Sequence, residues 1–235
     1  MQRPFLHAHW SNVAIVSYAV PTDLLTPYLP RGCSLDLLNG HPFASIVAFD
    51  FDEVKVKGWS IPFHRSFPEV SLRFYVKCGK DRGVCFVREF VPKTLVAWAA
   101  GKFYNEPYQS VKMTSDVHRT AEGFHIEHKL KAAGHTQKIV VATKPEPPML
   151  APADSDETWF MHHEYGFGKN HKGDTMKYRV AHPQWLIYRV HWYEVKMDWK
   201  RVYGEKWSIL KHVKPSNVIL AEGSPVTVFE SCMCG

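Results

Sequence analysis

The signatures that usually name a chemistry are missing from these 235 residues. No Gly-x-Ser-x-Gly, P-loop or Gly-x-Gly-x-x-Gly motif is present, so the serine-hydrolase, nucleotide-triphosphatase and Rossmann readings have no support. The five cysteines, Cys33, Cys78, Cys85, Cys232 and Cys234, form no Cys-x-x-Cys pair and no zinc-finger spacing. They read as reduced thiols of a cytosolic protein. The N-terminal residues lack an apolar h-region, and no uninterrupted apolar run approaches the roughly 18 residues of a membrane span. The expected location is the cytoplasm, with no membrane partner. Although the formal charge is +6, Lys and Arg form no block, and neither a helix-turn-helix nor an RRM signature accompanies them. Nucleic acid is therefore not an expected partner, and a diffuse positive field suits small anionic metabolites better. Fourteen histidines are present, but His7/His9, His125/Glu127/His128 and His162/His163/Glu164 lack the helical spacing of a zinc hydrolase. No metal and no other cofactor is expected.

The chain is rich in aromatics, with 8 Trp, 10 Tyr and 14 Phe. Together with 45% apolar and 22% charged residues, this predicts a folded, strand-rich protein with wide side-chain layers. Strands are expected at 12–20, 33–38 and 43–51, with Asn39-Gly40 as a hairpin turn between the last two. Thr22 is placed as the N-cap of a short helix to residue 29, and 57–67 reads as a loop. Over 69–76 the alternation is strict. Val70, Leu72, Phe74 and Val76 fall on one face, and Glu69, Ser71, Arg73 and Tyr75 on the other. A hairpin then leads to a strand over 84–91, and Pro92 opens a helix over 93–104 with an apolar stripe. Strands return over 110–143, and the Pro-rich segment 144–154 is a long connector inside a single domain, 1–235. A helix at 155–163, a hairpin turning at 171–174, an aromatic strand over 184–195, a helix over 199–206 and strands at 217–222 and 225–230 complete the prediction. Cys232-Met233-Cys234 reads as a frayed tail.

Two constellations stand out. Arg88-Glu89 lies inside Phe86-Val87-Arg88-Glu89-Phe90-Val91, so alternation sends at least one charge inward, where it needs a partner or a ligand. His64, Arg65 and Glu69 lie at a loop-to-strand junction, where an imidazole, a cation and an acid could meet over a cavity mouth. Each also has a purely structural reading, an ion pair in the first case and a solvated face in the second.

Several short motifs recur in order along nearly the whole chain. They are Arg3-Pro4-Phe5, Asn39-Gly40, Pro62-Phe63-His64-Arg65, Glu69-Val70-Ser71-Leu72-Arg73, Arg88-Glu89, Tyr104-Asn105-Glu106-Pro107-Tyr108, Tyr178-Arg179-Val180-Ala181-His182-Pro183 and Leu220-Ala221-Glu222-Gly223-Ser224-Pro225-Val226. The pattern resembles the DUF2071 (YqjF-like) family, which is placed with the acetoacetate decarboxylase-like proteins. The resemblance implies an α+β, mostly antiparallel fold, a cone-shaped β-barrel wrapped by additional strands and a few short helices, with a ligand cavity inside. In the decarboxylases a Pro-Lys-Lys segment supplies the imine-forming lysine and its cationic neighbour. Laid on 100–109, that motif aligns Pro107 but puts Tyr108 and Gln109 where the lysines belong. Glu69 matches a cavity-lining glutamate.

The resemblance thus implies a protein that holds a small, anionic organic molecule, such as a carboxylate. Glu69, Glu106 and Tyr108 would carry any acid–base chemistry, and His64, Arg65, Arg73, Arg88, Glu89 and Tyr104 would bind the ligand. A lysine-dependent decarboxylase or aldolase using Lys93 or Lys102 is one alternative, and a non-catalytic structural or interaction protein is another. The family also makes a homo-oligomer an expectation.

Overall fold

In the computed structural model, residues 3–60, 65–92 and 107–234 are described. Among these described residues seventeen strands dominate, and they divide into two sheets. The large sheet is built on β1 (Pro4–Ala19), β3 (Phe43–Val56), β5 (Phe67–Cys78), β6 (Asp81–Val91) and β16 (Asn217–Phe229), paired antiparallel in the order β16-β1-β3-β5-β6. The small sheet comprises β8 (Met113–Thr120), β9 (Gly123–Ala132), β10 (His135–Thr143) and β15 (Val190–Lys196).

The run Val13–Tyr18 explains why β1 is central. It is buried on both faces, as a strand must be when neighbours flank both edges and layers cover both sides. The large sheet then curls. Beyond β6 it continues through β12 (Tyr165–Lys169) to β13 (Thr175–Ala181), and β13 meets β16 again. Two of these seams are short. β12 touches β6 only at Tyr165↔Gly83 and Gly166↔Val84, and β13 touches β16 only at Val180↔Val228 and Ala181↔Thr227. The sheet thus curls back on itself through two thin seams, without the complete ladder of a closed barrel.

The two faces of the large sheet carry separate cores. One core joins Val70, Leu72, Phe74 and Val76 to Leu130, Ala132 and Ile139 of the small sheet, and to Trp199, Tyr203 and Trp207 of the segment that follows it. Trp199 and Tyr203 belong to a one-turn helix, α3 (Trp199–Tyr203). The other core gathers Val47, Phe49, Tyr75, Trp185 and Ile219 around Phe160 and Met161 of helix α2 (Asp156–Met161). Ser155 caps α2, accepting from the Thr158 N–H.

Several expectations need correction. Thr22 is the first helical residue, not the cap. The cap is Pro21, and the helix α1 (Thr22–Leu25) passes at once into a 3-10 turn, Thr26–Tyr28. Asn39 and Gly40 do form the expected turn, with φ of 52° and 81°. The segment before it, β2 (Ser34–Leu35), pairs with the far end of β5 instead of with β3. The supposed loop at 57–67 begins as a tight hairpin to β4 (Trp59–Ser60).

The aromatic stretch over 184–195 is two strands. β14 (Leu186–Tyr188) belongs to the large sheet and β15 to the small one, with Arg189 between them. The two terminal strands are in fact the single strand β16, and residues 232–234 are not frayed. β17 (Cys232–Met233) pairs with β13. The prolyl connector contributes β11 (Met149–Leu150), paired with β14. The helix expected over 93–104 lies outside the described residues.

The reading of all five cysteines as reduced thiols is also corrected. Cys33 and Cys78 form a disulfide with their Cα atoms 4.4 Å apart. The pairing of Ser34 with Lys77 is what places them side by side.

Candidate functional site

The polar face of β5 turns inward. Glu69 is 3% exposed, and Ser71 and Tyr75 are each 1% exposed, so this face is not solvated. Register decides what surrounds it. Opposed residues share a face, and β5 sets Glu69 against Phe49 and Ser71 against Val47 on one side, and Ser71 against Glu89 on the other. A short parallel strand, β7 (Tyr108–Ser110), then lays Tyr108 beside Glu89. Two buried carboxyls and a phenol therefore converge on one apolar surface.

Tyr108 donates its hydroxyl hydrogen to Glu69 Oε2 at 3.1 Å. Burial pushes the Glu69 carboxyl from its ordinary 4.5 up to about 8, against the opposing pull of the Tyr108 hydrogen bond and the Arg73 charge. At neutral pH Glu69 is thus mainly a protonated acid. Such a group can give a proton, or hydrogen-bond an oxygen, without repelling an anion.

Arg73 reaches from the same face. Its Nη2 donates to the Phe160 carbonyl of α2 at 3.3 Å, and its guanidinium lies 5.8 Å from the centre of the Tyr75 ring. Its Nε is buried with no hydrogen-bond partner among the described residues. The indole Nε1 of Trp10 is in the same condition. Trp10 pairs with Phe51 across β1 and β3 and packs 5.0 Å from the Phe49 ring, so it belongs to the Glu69 face. His182 stacks on Trp185 at 4.2 Å and lies 6.2 Å from Trp10. Burial lowers the pKa of His182, and the Arg73 charge adds to that effect. Two buried donors without partners among the described residues, a protonated acid and an aromatic wall make a surface suited to an oxygen-rich, partly apolar guest.

A second polar group braces this region. His163 Nε2 lies 3.2 Å from Asp36 Oδ2, which also accepts from Arg82 Nε at 2.6 Å. The His163 ring rests 4.7 Å from Tyr75 and 4.8 Å from Trp159. Burial drives its pKa down to about 4, so it is neutral and donates its Nε2 hydrogen to the carboxylate. Below Tyr75 the hydroxyls continue as a buried chain, with 2.7 Å from Tyr75 to Ser45 and 2.7 Å from Ser45 to Ser17.

Of the residues singled out in the sequence, the structure brings together Glu69, Arg73, Glu89 and Tyr108. Arg88 points the other way. It donates to the Val202 carbonyl and lies 6.0 Å from the centre of the Tyr203 ring in the opposite core. Arg65 is exposed, and its carbonyl accepts from the Val54 N–H at 3.0 Å. His64, Tyr104 and Glu106, with Lys93 and Lys102, lie outside the described residues. Trp10, His163 and His182 were not singled out as lining or bracing groups. For Trp10, only its place on a strand flanking the polar face could have signalled it.

Among the described residues no group of three or more His, Cys, Asp or Glu could hold a metal ion. No helix among them is long and apolar enough to cross a membrane. A separate open groove of about 470 Å³, lined in part by Glu146, Glu157, Tyr188 and Arg189, lies at the β14–β16 edge and includes none of these site residues.

Comparison with known proteins fits this architecture. Residues 7–225 match the family DUF2071, described as an uncharacterized conserved protein. The chain belongs to this family. YqjF of Bacillus subtilis (strain 168) is 25% identical over 181 residues, covering 76% of this chain and 73% of YqjF. Among solved structures, the acetoacetate decarboxylase of Legionella pneumophila superposes with a TM-score of 0.66 at 11% identity, over 97% of this chain and 87% of that one. The enduracididine biosynthesis enzyme MppR gives 0.70 at 12% identity, over 100% and 89%. At such identities the likeness fixes the fold. This DUF2071 chain has an acetoacetate decarboxylase-like fold, mostly antiparallel and strand-rich.

Proposed function

We propose that this protein binds a small carboxylate-bearing organic molecule on the Glu69 face and moves a proton to or from it without a lysine imine. The observation that carries this reading is Glu69, a buried acid held protonated at neutral pH and hydrogen-bonded by Tyr108, on the same face as an Arg73 nitrogen that lacks a partner among the described residues. Arg73 receives the carboxylate. Protonated Glu69 and the Tyr108 hydroxyl meet a carbonyl or hydroxyl oxygen, and Glu69 serves as general acid or base in an enolisation, hydration or related lyase step. Two further points support the reading. MppR has been solved complexed with pyruvate, a small carboxylate. Tyr108 and Gln109 stand where the decarboxylase motif, laid on this sequence, carries its lysines. The protein is proposed to act in the cytoplasm as a single domain.

The competing reading is a Schiff-base enzyme using Lys93 or Lys102. Borohydride reduction in the presence of acetoacetate, followed by peptide mass mapping, separates the two. The reading above predicts unmodified lysines, and an adduct on Lys93 or Lys102 would overturn it.

A further inference from the structure

Outside the site, the cysteines form a pattern that the acid–base chemistry does not use. The pairing of β13 with β17 sets Lys177 against Cys232, and the Cys234 N–H donates to the Thr175 carbonyl at 2.9 Å. Alternation then puts Cys232 and Cys234 on the same side as Lys177 and Thr175. That is the side on which the disulfide lies. Thr175 Oγ1 donates to the carbonyl of Arg31, close before Cys33, at 2.7 Å. Lys177 Nζ donates to Asp81 Oδ2 at 2.8 Å, and Asp81 is the strand partner of Cys78. Cys33, Cys78 and Cys234 all pack against one core, while Cys232 is exposed.

We propose that these four cysteines form a thiol–disulfide exchange centre in which the Cys232-Met233-Cys234 dithiol relays oxidation to the Cys33/Cys78 pair. Exposed Cys232 reacts first with a low-molecular-weight disulfide such as oxidised glutathione. Its thiolate attacks one sulfur, the S–S bond breaks, and one glutathione thiolate leaves and takes up a proton. Cys234 then displaces the second glutathione and closes a Cys232–Cys234 disulfide. The thiolate of Cys33 or Cys78 attacks that bond, and its partner resolves the mixed disulfide. The Cys33–Cys78 bond is formed and both C-terminal thiols are regenerated. The direction follows from ring size, because a Cys-x-Cys disulfide is strained and more oxidising than one joining well-placed strands. Burial raises the pKa of the Cys234 thiol while Lys177 pulls the other way, so Cys234 follows exposed Cys232 in the order of attack.

The test begins with the full chain reduced under native conditions and freed of reductant. Oxidised glutathione is added, samples are quenched with N-ethylmaleimide, and disulfides are mapped by mass spectrometry. The double variant Cys232→Ser/Cys234→Ser is expected to form Cys33–Cys78 about tenfold more slowly than the unaltered chain. In Cys78→Ser, Cys33 is expected to be captured in a disulfide with Cys232 or Cys234. Equal rates in the double variant and the parent would overturn the proposal. So would a Cys33 that, in folded Cys78→Ser, stays alkylatable or carries only glutathione.

Discussion

Two buried side chains give the molecule opposite responses to pH. Glu69 has a folded pKa of about 8 against an ordinary 4.5. The stability it contributes is full below the lower value and is lost as pH rises through the upper one, because the unfolded chain releases its proton first. Glu69→Gln is expected to remove this fall, and urea unfolding between pH 4.5 and 8 will show it as a flatter profile. His163 has the reverse sign. Its pKa is about 4 against 6.5, so its contribution is present above 6.5 and is lost as pH falls through 4. Asp36 adds to the acid-side loss. Burial pushes its carboxyl up, but hydrogen bonds from His163 and Arg82 outweigh that and hold it low. His163→Phe should therefore unfold with a shallower acid limb in thermal melts across that window. The strict alternation of 69–76 was enough to put Glu69, Ser71, Arg73 and Tyr75 on one face. It could not show that the face was buried, because that depends on β7 and α2, which arrive from distant parts of the chain.

At the level of elements, the thin seams are where small changes have large effects. Gly83 lies at the parallel contact with β12, and a Cβ built there would meet the Tyr165 carbonyl oxygen at 2.2 Å. Gly83→Ala is expected to cost about 1–3 kcal/mol through this overpacking, read as a lowered urea midpoint with an unchanged m-value. Gly223 lies instead on the long β1–β16 ladder, opposite Ser11. It has φ of 85°, and a Cβ would meet the Trp10 carbonyl oxygen at 1.9 Å, so glycine is what lets β16 stay paired with β1 through a Gly-Ser-Pro sequence that reads as a turn. Turn chemistry was legible where it was local, as at Asn39-Gly40. The break at Arg189 was not legible. Leu186–Tyr188 and Val190–Lys196 are both strand-like, and only their partners, β16 and β10, send them to different sheets. Arg88 shows the same limit, since alternation separated it from Glu89 but could not say that its side of the strand would face Val202 and Tyr203.

For the molecule as a whole, the ordered motifs pointed to the family and the fold, while composition alone reached only a strand-rich class. Cysteine spacing misled, because a disulfide between residues 45 apart in sequence depends on β2 leaving its hairpin neighbour for β5. By loop-closure entropy a cross-link of that span contributes about 4 kcal/mol. Cys33→Ser/Cys78→Ser is therefore expected to lower the unfolding free energy by an amount of that order, measured in urea against the oxidised parent. The central claim concerns the Glu69 face, and calorimetric titration with pyruvate across pH tests it most directly. A carboxylate binds best beside a neutral Glu69, so affinity should hold up to about pH 8 and then fall about tenfold per pH unit. Glu69→Gln should keep its affinity on the alkaline side. Undetectable binding to the unaltered protein, or the same alkaline loss in Glu69→Gln, would contradict the account.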